Sequence, residues 1–199
     1  MKQIRVLKSK ATSIQVGCCN WPNEYPYVPR ISVDMWHNGD SLFMEFKVAE
    51  RYTLANVATN NGESWTDSCV EFFIAPDDSG YYYNFEFTCI GKLLLAHRPG
   101  REGAELAPLS VVDGVMSEAS LGNVPFGLIE NSEWSLKVAI PISTLFKHNF
   151  KSWSQVKARC NIYKCGNNLP ERHFVSYAPI DTPKPDFHRP EFFIPIEFE

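Results

Sequence analysis

Hydrophobic and polar residues alternate along this chain far more often than they recur at helical spacing. Within Ser41–Val48, Leu42, Met44, Phe46 and Val48 share one face, and Glu45 and Lys47 the other. In Cys69–Ile74, Val70, Phe72 and Ile74 oppose Glu71 and Phe73. In Tyr81–Phe87, Tyr81, Tyr83, Phe85 and Phe87 oppose Tyr82, Asn84 and Glu86. Trp134–Ile140, Val156–Ile162 and the terminal Ile194, Ile196 and Phe198 repeat the pattern. A period of two marks a half-buried strand, because successive side chains leave opposite faces. Further strands are expected over Ser13–Val16, Ile31–Trp36, Lys92–Ala96, Val115–Leu121 and His173–Tyr177, about ten in all.

Turn chemistry separates these runs. His37-Asn38-Gly39-Asp40 and Pro76-Asp77-Asp78-Ser79-Gly80 each join two strand runs as a hairpin would. A short helix is expected at Ser143–Lys147, after the breaker Pro141, and nowhere else. Repeats, low-complexity tracts and linkers are absent from the sequence. Many amphipathic strands bury their apolar faces by stacking two antiparallel sheets. The expected fold is therefore all-β: one β-sandwich domain over residues 1–199, of jelly-roll type, with long loops. Two segments read as loops: Arg98–Pro108, with glycine and charge, and Ala178–Pro190, stiffened by Pro179, Pro183, Pro185 and Pro190. Long ordered loops in a compact domain are usually functional or mobile, and proline lowers the entropy lost in holding one still.

Composition narrows the class. With 199 residues, 44% hydrophobic and 14% aromatic, the chain has apolar material for an ordinary core without a metal or disulfide staple. A net charge of −4 argues against a nucleic-acid partner. No run approaches the roughly 18 apolar residues of a membrane span, so no membrane partner is expected. The first ten residues interleave Lys2, Arg5, Lys8 and Lys10 with Ile4, Val6 and Leu7, and no apolar run of about 7–15 residues follows. The expectation is a cytoplasmic protein. The alternative is a secreted or periplasmic one whose leader has been removed. Cys18, Cys19, Cys69, Cys89, Cys160 and Cys165 have irregular spacings and read as reduced thiols. Cys160, Cys165 and His173 lack a fourth zinc ligand and read as strand residues.

Hydrolytic and nucleotide motifs are missing: no G-x-S-x-G, H-E-x-x-H, P-loop or G-x-G-x-x-G occurs. Asp67 and Glu71 lie four apart, about 13 Å along a strand, beyond the carboxylate separation of about 5–9.5 Å that glycosidases use. Trp65 stands in the polar run Asn60-Asn61-Gly62-Glu63-Ser64-Trp65-Thr66-Asp67, off any alternating core face. An indole so placed either caps the sandwich end or offers a platform for the axial C–H face of a sugar ring. Nearby amides, carboxylates and arginines would then bond the hydroxyls. Glu71 suits that role because it lies opposite Val70, Phe72 and Ile74. Asn161, Tyr163 and Lys164 either line a site or pair across a sheet. Arg189 beside His188 either contacts a ligand or ties the proline-rich loop down.

The run Trp65-Thr66-Asp67-Ser68-Cys69-Val70-Glu71-Phe72-Phe73-Ile74, followed by Tyr81–Phe87 and Gly91, resembles the family 9 carbohydrate-binding modules, whose pattern is W-x-D-D-S-V-E-V-F, a hairpin, then Y-x-x-F-E and a glycine. The stretches Asn161–Gly166, His173–Ile180 and Lys184–Glu191 are similar to a stand-alone branch of that family frequent in gut Bacteroidetes. The resemblance runs from about Ile31 to the end. It implies a DOMON-like β-sandwich and a non-catalytic sugar site for a mono- or oligosaccharide held between two aromatic side chains. Trp65 matches the first stacking tryptophan, Glu71 the hydroxyl-binding carboxylate, and Arg98 falls near the family's ligand arginine. Tyr177 stands where the branch has tryptophan in S-W-x-P, with Phe187 the alternative second platform. Phe192-Phe193 replaces the usual Phe-Gly. The implied site is thus Trp65, Glu71, Arg98, Asn161, Tyr177, Phe187, His188 and Arg189. No cofactor is expected: the family's calcium sites have no clear counterpart, and Asp77-Asp78 reads as a turn. Two other readings stand beside this one. A glycoside-active enzyme needs two carboxylates converging within about 10 Å around a pocket. A haem-binding DOMON-type domain needs facing His or Met ligands, for which His97, His188, Met35 and Met44 are the residues to weigh.

Overall fold

The computed structural model describes residues 2–199. Its strands are β1 (Ile4–Val6), β2 (Thr12–Gln15), β3 (Cys18–Cys19), β4 (Arg30–His37), β5 (Ser41–Ala55), β6 (Cys69–Ala75), β7 (Tyr82–Thr88), β8 (Leu93–Arg98), β9 (Glu105–Leu106), β10 (Met116–Ala119), β11 (Phe126–Pro141), β12 (Lys157–Cys165), β13 (Phe174–Ser176) and β14 (Ile194–Phe198). One sheet runs β1-β14-β12-β6-β7-β8-β9, with β13 and β3 continuing from the end of β12, and the other runs β10-β11-β5-β4-β2. Every pairing is antiparallel except β1 with β14. Both expected hairpins form. Gly39 at φ +98° and Gly80 at φ +85° supply the left-handed turn residues, and Asn38 Oδ1 accepts from the Ser41 amide at 2.8 Å.

Several boundaries differ from the sequence reading. The expected helix at Ser143–Lys147 is a single 3-10 turn at Ile142–Thr144, and an unexpected four-residue helix, α1, covers Leu109–Val112. Strands β1, β3 and β9 carry only two or three residues each, too few to show a period. The strand β11 begins well before Trp134, because its mostly exposed first half extends the ladder along residues 49–55, with Phe126 packing partly against the core. No helix among the described residues is long and apolar enough to cross a membrane.

The alternation places the core where the pattern requires. Val70, Phe72 and Ile74 of β6, Phe85 and Phe87 of β7, and Cys160 and Ile162 of β12 face Met44 and Phe46 of β5, Val33 of β4 and Leu136 of β11. The other face of β6, β7 and β12 is not left to water, as simple amphipathic strands would suggest. Cys69, Phe73, Tyr82, Tyr163 and Cys165 form a second apolar cluster with Trp21, Ile180, Phe187 and Phe193. The cover is the proline-rich segment 178–193 with residues near Trp21. Polar ties hold it in place. Asn161 exchanges both of its amide atoms with the Ala178 backbone, at 3.1 and 2.9 Å. Trp21 Nε1 donates to Thr182 O at 2.7 Å, Tyr163 Oη to Phe187 O at 3.2 Å, and Arg159 Nη2 to Phe193 O at 2.9 Å. The His188 ring stands 2.9 Å from Tyr82 Oη, with Arg98 Nη1 at 3.1 Å.

The two sheets are also joined by charge. Glu50 follows Val48 on the inward face of β5, and Lys164 follows Ile162 on the inward face of β12. Their side chains are fully buried, with Nζ 2.8 Å from Oε2. The ammonium meets Glu50 Oε2 as an ion pair and donates hydrogen bonds to Cys165 O and His173 Nε2, each at 2.8 Å. The His173 ring is neutral: burial, with the Lys164 charge, holds its pKa well below the usual range, and Nδ1–H donates to Glu171 O at 3.0 Å. Glu50 Oε1 accepts from Trp134 Nε1 at 2.7 Å and from Thr53 Oγ1 at 3.1 Å. Lys164 therefore neither lines an outward-facing site nor pairs on an open sheet face; it points between the sheets.

Removing one member of such a pair leaves the other charged and dry. Lys164→Met should lower unfolding free energy by about 3–5 kcal/mol in urea titration, and the double variant Glu50→Gln/Lys164→Met by clearly less. A double loss equal to the sum of the Glu50→Gln and Lys164→Met losses would mean the pair is not coupled. Acid should weaken the loop cover. Burial, with the Arg98 and Arg101 charges, depresses His188 from 6.5 to about 3. The unfolded chain therefore takes up this proton first as pH falls. The contribution is whole above pH 6.5 and is lost progressively towards the folded-state value. At pH 5 the loss should amount to about 2 kcal/mol. Thermal midpoints followed from pH 7 to pH 4 should fall more steeply in the wild type than in His188→Gln, and parallel curves would refute this.

Candidate functional site

Where the cover ends, the outer face of β6 and β7 opens into a cavity of about 800 Å³, a size suited to a small ligand. Its floor is the sheet itself. Glu71 of β6 and Glu86 of β7 are register partners, side by side and nearly fully buried. Burial raises both carboxyl pKa values. Glu86 rises to about 7, and Glu71 is held well above the usual carboxylate range by burial, with Cys165 and Glu86 adding to it. Glu86 Oε1 accepts from Asn84 Nδ2 at 2.8 Å, and its Oε2 has no partner. The recorded side-chain partner of Glu71 is the Cys165 thiol, 3.0 Å from Oε1.

The walls come from loops. Trp65 sits in a 3-10 turn, Ser64–Thr66, half-exposed at the cavity. The turn is held from both sides. Asp67 Oδ2 accepts the Asn56 and Val57 amides at 2.8 Å each, and the carbonyls of Trp65 and Thr66 accept from Asn167 and Asn168. Asp67 is thereby a structural carboxylate, and the Asp67–Glu71 spacing has no catalytic content. Arg98, at the end of β8, enters from the opposite side with Nε buried and unpartnered. Arg101 beside it is bonded to Asp186 Oδ1 at 3.0 Å.

Five of the residues implied by the sequence meet here: Trp65, Glu71, Arg98, Phe187 and His188. Phe187 is packed flat on Tyr163, with centroids 4.2 Å apart and planes 10° apart, so it presents a fixed apolar wall. Three do not arrive. Tyr177 is excluded by strand parity: Phe174 lines the cavity, so the residue three further on packs on the inter-sheet side, under Lys2 Nζ at 3.4 Å. Asn161 lies beneath the cover and spends its amide holding Ala178. Arg189 lies outside it, bonded to Glu191 Oε1 at 2.7 Å.

Glu86, Arg101, Asp186 and the ring of Tyr25 also line the cavity and carry no distinct sequence signal, apart from Glu86 on the polar face of its strand. Of the haem candidates, Met35 and Met44 lie in the inter-sheet core, and His97 is held between the rings of Tyr81 and Tyr83. Asp77 serves its turn, accepting from the Ser79 amide at 2.9 Å and meeting His148 at 2.9 Å.

Comparison with known proteins places this geometry. The model of carbohydrate-binding family 9 matches residues 2–198. A solved structure described as a "putative carbohydrate-binding protein", from Bacteroides uniformis ATCC 8492, is 32% identical, with a TM-score of 0.95, covering 100% of this chain and 99% of that one. Two structures of a family 9 module from Caldicellulosiruptor kristjanssonii are 10% identical and share the fold. One, in complex with cellotriose, has a TM-score of 0.56 over 100% of this chain and 94% of that one; the other, with glucose, has 0.60 over 100% and 96%. Comparison with curated proteins found no match. From the Trp65–Ile74 motif, the two-sheet β-sandwich and the match along almost its whole length, the chain belongs to carbohydrate-binding family 9.

Proposed function

We propose that the cavity binds a mono- or short oligosaccharide without cleaving it. The observation that carries this reading is the half-exposed Trp65 indole standing over buried Glu71 and Glu86, with Arg98 opposite. The C–H face of a pyranose packs on the indole, and its hydroxyls donate to the carboxyl oxygens and accept from the guanidinium. Phe187 and Phe174 close the apolar side. The second aromatic surface is then Phe187 and not Tyr177. The sugar complexes of the Caldicellulosiruptor kristjanssonii module, with glucose and cellotriose, support the ligand class.

A glycoside-active enzyme is the second reading, because Glu71 and Glu86 are register partners facing the cavity. Catalytic carboxyls must flank the scissile bond, one to protonate the leaving oxygen and one on the other side of the ring. These two rise side by side from one floor, where they bond adjacent hydroxyls instead. Aryl glycosides incubated with the protein should release no phenol, and turnover lost in Glu71→Gln would overturn the binding reading.

Calorimetric titration with glucose, xylose and their β-1,4 oligomers tests the site. Trp65→Ala should lower affinity at least about tenfold, through lost stacking and apolar contact. Arg98→Ala should lower it about tenfold to a hundredfold, as expected for a charge-assisted hydrogen bond. Tyr177→Phe and Arg189→Ala should leave it unchanged. Unaltered binding in Trp65→Ala would remove the sugar from this cavity.

A further inference from the structure

One cluster in the cavity floor has no evident task in holding a sugar. Cys69 and Cys165 are register partners on β6 and β12, and both side chains leave the sheet on the cavity side. Glu71 is diagonal to Cys165 on the same face. Both sulfurs and one Glu71 oxygen lie within 4.8 Å of one another, and all three residues are buried. Among the described residues no cationic side chain bonds this carboxylate; the Cys165 thiol does, at 3.0 Å.

We propose that Cys69, Glu71 and Cys165 form a binding site for a thiophilic divalent cation of the zinc class, with the fourth position open to the cavity. The donor set is the first argument. Two thiolates and a carboxylate select a borderline-soft cation over calcium or magnesium, which take oxygen ligands. Size is the second. Zinc–sulfur bonds of about 2.3 Å and zinc–oxygen bonds of about 2.0 Å in a tetrahedron require the sulfurs to stand about 3.8 Å apart, and each sulfur about 3.5 Å from the oxygen. In the present triangle the Cys165–Glu71 side is 3.0 Å and all three atoms lie within 4.8 Å of one another, so shifts of about 1 Å or less per side, within the reach of side-chain rotation, reach that geometry.

Access is the third argument. Glu71 and Cys165 line the cavity, so an ion enters from there, and a water or ligand oxygen fills the remaining position. Three protein ligands with one open place is the pattern of sites that engage a further ligand. Binding displaces every proton the three ligands hold: with both thiols and the Glu71 carboxyl protonated, the cation gives a dithiolate–carboxylate complex and three hydrogen ions, with no change of oxidation state. Glu71 keeps its second oxygen for a hydroxyl, so the site is compatible with the sugar reading and does not depend on it.

The test uses cobalt(II) and zinc(II) with the reduced, full-length protein and no sugar present. Cobalt should bind at one equivalent and give a thiolate charge-transfer band with tetrahedral visible bands. Zinc should bleach them. Cys165→Ser should abolish the charge-transfer band or sharply reduce it. Glu71→Gln, which preserves shape, should weaken cobalt affinity at least about tenfold. The double variant Cys18→Ser/Cys19→Ser, altering the half-buried thiols elsewhere, should leave the spectrum unchanged. Absence of the band, a band lost with Cys18 and Cys19 instead, or thiol counting that finds Cys69 and Cys165 joined as a disulfide in freshly purified protein would each overturn the proposal. Should Cys165→Ser fail to fold, Glu71→Gln alone decides: undiminished cobalt affinity refutes the site.

Discussion

Strands β6, β7 and β12 are buried on both faces, and most of the structure follows from that constraint. One face packs against the second sheet; the other lies beneath segment 178–193. A polar side chain on a covered face must find a partner in the protein, because the penalty of leaving it dry is of the order of 1–3 kcal/mol. Tyr82, Asn161 and Tyr163 meet that requirement by bonding the cover itself. Glu71 and Glu86 occupy equivalent outward positions where the cover stops. Both line the cavity, and Glu86 Oε2 has no hydrogen-bond partner among the described residues. The cavity is thus the unfilled part of an otherwise covered face, and in the proposed function a sugar's hydroxyls do there what the loop does a few residues away.

The same constraint marks what was legible beforehand. Alternation in Ser41–Val48 and Cys69–Ile74 predicts which residues face the other sheet, because period two is a local property of the strand. It also puts Glu71 and Glu86 on the outward face, but it is silent about what covers that face. Burying the face depends on a loop more than 90 residues further along the chain. Proline in Ala178–Pro190 signals stiffness without showing where the loop lies. That is why Asn161 reads as a possible site residue and turns out to be a loop anchor, and why Arg98, reached from β8, is placed only by resemblance. Tyr177 is different. Its parity with Phe174 is visible in the sequence, yet the pairing of β13 with both β12 and β3 is needed to know which face is which.

Glu50 and Lys164 illustrate a further limit. Each continues an apolar stripe, after Val48 and after Ile162, where the pattern itself breaks. A charge at such a position reads as the end of the core. In the structure both charges stay inward because each is the other's partner, across sheets, with His173 completing the ammonium's bonds. A pair like this adds little net stability over an apolar substitute, and its sharper effect is on register. If β5 slid by one residue, Glu50 would turn outward and strand Lys164 in the core, besides exposing Phe46.

That registry bears directly on the site. Glu71 pairs with Tyr163, and Lys164 is the next residue on β12. Locking Lys164 to the opposite sheet therefore locks the strand that carries Tyr163 and Cys165 under the cavity. Tyr163 in turn supports Phe187, and the Trp65 turn is pinned by Asp67 and by Asn167 and Asn168. Neither aromatic surface needs to be ordered when a ligand arrives. Each rotamer-rich side chain immobilised on binding subtracts about 0.5–1.5 kcal/mol from affinity. A cavity holds a small, strongly hydrated ligand more tightly where that loss is already met by folding, and the buried charge pair, on the other face of the sheet, is part of how this fold meets it.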